Sequence, residues 1–231
     1  MTPPAALRLD YVSPLPPVRS GIADYSRDLL PHLAPLCELR LLLLPDQEVE
    51  AELTARYATA PLGTPHEGRV PLYQMGNNRY HLAVHAAAMA EPGVVVLHDL
   101  VLHHFLLDRT VGKGDAAAYR TELARDHGWI GETVARPVRF GGFSNAAQFA
   151  LGARRTLARR QRGLVVHSAW AAAELRAEDP ELAVRAVPMG IPLPPAADEA
   201  TGLRFRERLG IPADAPLIGS FGFQTPIKRT E

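Results

Sequence analysis

His98 and Asp99 close the apolar run VVVLHD, and His103 and His104 follow in VLHHF; upstream, His81 and His85 stand four residues apart. Histidine can act near neutral pH as an acid, a base or a hydrogen-bonding clamp, and several together can hold a metal. The spacing argues against the metal. His81 and His85 would share a helix face, but the glutamate of an H-E-x-x-H motif does not accompany them. A helix running on through Leu100, Val101, Phe105 and Leu106 puts His103 and His104 a turn or more beyond His98, so the three would meet only if the helix start were distorted. What remains is His98 at a strand end, where Asp99 can orient its ring or cap the next helix. The alternative is a plain polar strand end.

Three other loops could take part. In SPLPPVRSGIADYS (13–26), Gly21 and Ile22 enter a helix behind Ser20, and free N–H groups there suit a phosphate. A plain capped turn is the equal alternative, and one glycine is too few for a G-x-G-x-x-G dinucleotide site. In YQMGNNRYH (73–81), Gly76 permits a tight turn, while Asn77, Asn78 and Arg79 offer donors and acceptors suited to hydroxyl groups. One asparagine is expected to cap the following helix, which leaves the other to be explained. In VVHSAW, Ser168 reads as an N-cap without catalytic context.

These loops need a scaffold, and the chain supplies strand-like runs alternating with helix-like ones. The strands are expected at 7–12, 38–44, 69–73, 93–98, 163–168 and 183–188, with Pro71 suggesting an edge or an irregular start for 69–73. Residues 99–162 read as mostly helical, including one helix from Ser144 to about Gly163 with Arg155, Arg159 and Arg162 on a basic face. That face could meet an anionic lipid surface or simply be solvated. The pattern predicts an α/β fold: an open, mostly parallel Rossmann-like sheet with helices on both faces. Ligands of such sheets bind at the carboxyl ends of the strands.

Residues 1–189 are expected to form this domain, and 190–202, rich in proline and small residues, a linker. Residues 203–231 then hold a short helix (203–209) and a strand (216–223), the opening of a second, truncated domain.

Lys+Arg and Asp+Glu both number 25 in 231 residues, which argues against nucleic acid as a partner. Cys37 stands alone, so neither a disulfide framework nor a cysteine metal site is expected. No export signal or membrane span is visible, and a cytoplasmic protein is expected, with the arginine face as its candidate contact with the membrane.

In order, SPLPPVRSGIADYS, GNNRYH with PGVVVLHDLVLHH, VVHSAW, VPMGIPLP and FGFQTPIKR resemble the retaining glycosyltransferases of the GT-B fold. The resemblance covers nearly the whole chain and implies the N-terminal half of such an enzyme. It implies transfer of a sugar from a nucleotide-diphosphate donor to a glycan, lipid-linked or small-molecule acceptor, without a cofactor or an essential metal. His98 matches the histidine that faces the reacting sugar, Gly21 the loop glycine, and Lys228 the phosphate-binding lysine with Arg229 beside it. Many relatives read Gly-Arg shortly before that lysine, where Phe223 and Gln224 stand here. The resemblance also places most of the donor pocket in the second domain, so these residues alone are expected to turn over little. A binding module that pairs with a separate chain, or a histidine-based metal hydrolase, would be the competing functions.

Overall fold

The computed structural model describes residues 7–142, 144–193, 195, 196 and 198–219. Seven strands follow the chain as β1 (Arg8–Val12), β2 (Glu38–Leu43), β3 (Ala58–Pro61), β4 (Val70–Met75), β5 (Val94–Leu97), β6 (Gly163–Val166) and β7 (Val184–Ala186). They form one sheet in the order β3-β2-β1-β4-β5-β6-β7, and every pairing is parallel. This is the open α/β sheet expected from the alternation.

The helices are α1 (Gly21–Leu33), α2 (Ala51–Arg56), α3 (Leu82–Ala90), α4 (His103–Arg109), α5 (Ala116–Ala135), α6 (Ala147–Ala150), α7 (Arg155–Arg160), α8 (Ala169–Glu178) and α9 (Glu199–Arg208). From β1 the chain winds outward to β2 and β3, then returns to lay β4 against the other side of β1 and continues to β7. Right-handed crossovers in the two directions place their helices on opposite faces. Leu30 of α1 and Leu53 of α2 accordingly pack with Leu9, Tyr11, Leu39 and Leu41. On the other face, Val84, Phe105, Leu157 and Leu175 pack with Val12, Tyr73, Met75, Val95, Leu97 and Val166. Full burial of each such side chain contributes roughly 1.5–3 kcal/mol. The strand order reverses between β1 and β4, and sheets of this kind take ligands at the carboxyl ends of the strands beside such a reversal.

Several elements differ from the sequence reading. β4 is central, not an edge, although it contains Pro71. The proline sits one residue before the ladder to β5 begins at Leu72↔Val94. Gly93 fits beside it because a Cβ there would lie 2.3 Å from the Pro71 carbonyl oxygen. β3 and α2 were not expected; β3 is an edge strand with mostly exposed residues, so it leaves no apolar signature.

The helix expected from Ser144 is two short helices. Ser144 does accept from Ala147 N at 3.3 Å, but the helix ends at Ala150, and Ala153 adopts φ 49°. Asp126 of α5 restarts it by accepting from Arg155 N (2.7 Å), Thr156 N (3.1 Å) and Thr156 Oγ1 (2.6 Å). The three arginines therefore share no helix face: Arg162 lies beyond α7. Arg159 pairs with Asp179 at 2.7 Å, and Arg155 approaches Glu178 at 3.9 Å. α4 also starts later than expected, at His103.

Cα packing divides the chain into units Met1–Ile191 and Pro192–Glu231. In the second, α9 starts four residues before the expected helix, capped by Asp198, which accepts from Thr201 N at 2.7 Å. Residues 216–219 of the expected strand are not in a strand, and its remainder lies outside the described residues. Among the described residues no helix is long and apolar enough to cross a membrane.

Candidate functional site

At the carboxyl edge of the sheet, His98 continues β5 by donating its backbone N–H to Met75 O at 3.0 Å. Its ring meets two others. The His98 and His167 centroids lie 4.8 Å apart, and Tyr25 of α1 stands edge-on 5.0 Å from His98 and 5.6 Å from His167. Beneath them Gln74 of β4, fully buried, accepts from His98 Nε2 through its Oε1 at 2.8 Å. Four elements thus send one polar side chain each to a single spot.

Their protonation follows from burial. Desolvation pushes His98 down to about 3, and the rings of His167 and His81 add to the shift. His81, fully buried, falls to about 4 by desolvation even though its Nδ1 donates to Gln74 O at 3.0 Å. Burial raises the Tyr25 phenol. At neutral pH His98 and His81 are uncharged and Tyr25 keeps its proton. His167 Nδ1 donates to Val187 O at 3.0 Å. Among the described residues six buried side-chain N or O atoms lack a hydrogen-bond partner; three of them, Gln74 Nε2, His81 Nε2 and His167 Nε2, belong to this cluster.

The first loop approaches the same edge. Ser20 caps α1, accepting from Ile22 N at 3.3 Å, so that donor is engaged inside the cap. The Ile22 side chain reaches Gly76, where a Cβ would lie 2.3 Å from Ile22 Cδ1 and 2.8 Å from His81 Nε2. Gly76 is thus required by packing, not by a left-handed turn. Gly21 is different: a Cβ there would meet nothing within 4 Å, and its backbone is not left-handed. Neither packing nor conformation demands glycine at 21, which leaves close approach from outside as a physical reason for it.

Asn77 and Asn78 divide their roles. Asn78 Oδ1 caps the turn before α3, accepting from Tyr80 N at 3.0 Å. Asn77 ties β4 to α4: Oδ1 accepts from Phe105 N at 2.9 Å, and Nδ2 donates to His104 Nδ1 at 3.3 Å. Asp99 neither orients His98 nor caps α4. It accepts from Asn77 N at 3.1 Å, while Gln74 holds the His98 ring. Arg79 is exposed, its guanidinium 5.7 Å from the Tyr80 ring. Lys228 and Arg229 lie outside the described residues.

The remaining histidines do not assemble. His103 is fully buried, donating from Nδ1 to Leu151 O at 3.0 Å and accepting from Tyr119 OH at 2.8 Å. His85 packs 4.9 Å from the Phe105 ring and lines a cavity of about 260 Å³ between α3, α4, α5 and α7, behind the sheet edge. Among the described residues no three His, Cys, Asp or Glu side chains could share a metal ion.

Sequence reasoning singled out His98 but not Gln74, Tyr25 and His167, whose side chains gather around it. Two signals were present: a glutamine inside the apolar strand VPLYQM, and a second strand ending in histidine at 167. No family model matches the chain, and no curated protein matches it.

Proposed function

We propose that this chain carries the acceptor-side domain of a retaining glycosyltransferase, transferring a sugar from a nucleotide-diphosphate donor to an acceptor hydroxyl in cell-surface polysaccharide or glycoconjugate synthesis. The observation that carries the reading is the convergence of Tyr25, Gln74, His98 and His167 at the carboxyl edge of the sheet, beside the N-terminus of α1. Uncharged donors and acceptors suit the hydroxyl groups of a sugar. An imidazole held near 3 is poorly matched to a general base working at neutral pH. It suits a reaction that relies on positioning and on stabilising a departing diphosphate. Gly21 leaves the helix N-terminus open to a phosphate, and the order of the motifs supports the same assignment.

The test is sugar transfer by the protein expressed from its complete reading frame. It would be offered UDP-, GDP-, ADP- and dTDP-sugars with lipid and glycan acceptors, and nucleotide diphosphate release measured. At least one donor is expected to be consumed. His98→Ala should lower turnover by roughly a hundredfold or more, a far larger effect than its loss of stability. Consumption of no donor, or wild-type turnover in His98→Ala, would rule the assignment out.

A further inference from the structure

His98 differs from His81, His103 and His167 in what holds it. The Nδ1 atoms of His81, His103 and His167 face main-chain carbonyls, which only accept, so each of those atoms carries its proton. In His98 the bond is made from the opposite nitrogen, and the partner is a side chain, Gln74 Oε1. An amide oxygen also only accepts, so His98 carries its proton on Nε2 and keeps a lone pair on Nδ1. Nδ1 has no hydrogen-bond partner among the described residues. The holder is itself rigid: Gln74 is fully buried, pairs in register with Val96, and accepts from His81 at its main-chain oxygen.

We propose that Gln74 is the positioning residue of this site, fixing His98 in the tautomer whose Nδ1 accepts a hydrogen bond from a substrate hydroxyl. The proposal rests on the glycosyltransferase reading for the hydroxyl, but not for the tautomer. It has a consequence for substrate class: the group that meets His98 must be a donor. A phosphate or carboxylate oxygen would face a lone pair there, so the donor diphosphate binds elsewhere and His98 meets the sugar ring. The neutral state of His98 supports this, since an imidazolium would offer a proton at both nitrogens.

The closing experiment needs no substrate. The full chain, labelled with ¹⁵N at histidine, is studied by long-range proton–nitrogen correlation at neutral pH, with the His98 signal assigned by its loss in His98→Asn. A protonated Nε2 and a bare Nδ1 are expected. Gln74→Leu should convert His98 to a tautomer mixture. Gln74→Glu should keep the proton on Nε2 and raise the His98 pKa by roughly one to three units, because a carboxylate stabilises the imidazolium. A wild-type His98 protonated on Nδ1, or an unchanged tautomer in folded Gln74→Leu, overturns the proposal. If Gln74→Leu does not fold, the wild-type spectrum and the pKa shift in Gln74→Glu decide it. The expected tautomer together with failure to consume any nucleotide sugar would sink the function proposed above and leave the positioning role standing.

Discussion

Two buried polar groups sit on the same sheet and are built to opposite specifications. In one, Asp10 in the middle of β1 is fully buried and accepts from Arg40 Nε and Nη2, both at 2.8 Å, and from His66 Nδ1 at 2.6 Å. Arg69 stands 3.8 Å away and binds Glu38, while His66 reaches Glu91 at 3.4 Å. This network lies where the loop from β3 to β4 crosses the sheet, and each carboxylate and cation in it meets an opposite charge. In the other, the cluster at the carboxyl edge, Gln74, His81 and His167 each keep a buried nitrogen without a partner among the described residues. A buried polar group with no partner costs about 1–3 kcal/mol. The Asp10 network is satisfied as folded and stabilises the fold. The edge cluster retains hydrogen-bonding capacity that the described residues do not use.

The largest expected effect tests the satisfied half. Asp10→Ala should destabilise the fold by about 3–5 kcal/mol in denaturant titrations, because Arg40 and His66 lose their anion. Gln74→Leu removes an unpartnered donor but also the acceptor of His98 Nε2, and should cost about 1–3 kcal/mol. Equal losses at the two positions would erase the distinction.

Acid separates the regions next. His81 folds neutral with its pKa at about 4, below the ordinary 6.5, so the unfolded chain binds more protons between those values. Stability should therefore fall as the pH drops from 6.5 towards 4, by roughly 1.4 kcal/mol per pH unit for this residue. His81→Leu should flatten the slope of unfolding free energy against pH by that amount. At Asp10, burial favours the neutral acid, but the hydrogen bonds and charges of Arg40 and His66 outweigh it and hold the pKa below 3.8. Its contribution is present above 3.8 and lost only as the pH falls further. A slope unchanged by His81→Leu would show that the edge histidine is not buried neutral.

The smallest effect concerns the tie between β4 and α4. Asn77→Ala should cost about 1 kcal/mol, since Phe105 N loses its cap, and should lower the melting midpoint by a few degrees. No change would mean that Asn77 is free to contact ligand instead.

The apolar runs made most of the sheet legible, because strands buried on both faces, such as β2 and β5, have few other readings. β3 escaped because its residues are exposed, and Pro71 left an edge and an irregular start both open until the pairing placed it before the ladder to β5 begins. The break between α6 and α7 was invisible because Asp126, from a distant helix, supplies the new N-terminus. His98 could be found because it ends the most apolar strand. Gln74, Tyr25 and His167 could not be joined to it, since separations of 24, 73 and 69 residues from His98 carry no local pattern.

By itself, then, the order of residues determined an open α/β sheet, the caps Ser20 and Ser168, a cap at Asn77 or Asn78, and a histidine at the end of β5. These depend on local periodicity and on hydrogen bonds between near neighbours. Which strands lie side by side was decided only in three dimensions, where β4 inserts between β1 and β5 and carries Gln74 beneath His98. That placement depends on burying both faces of the sheet at once, a condition no single segment can express.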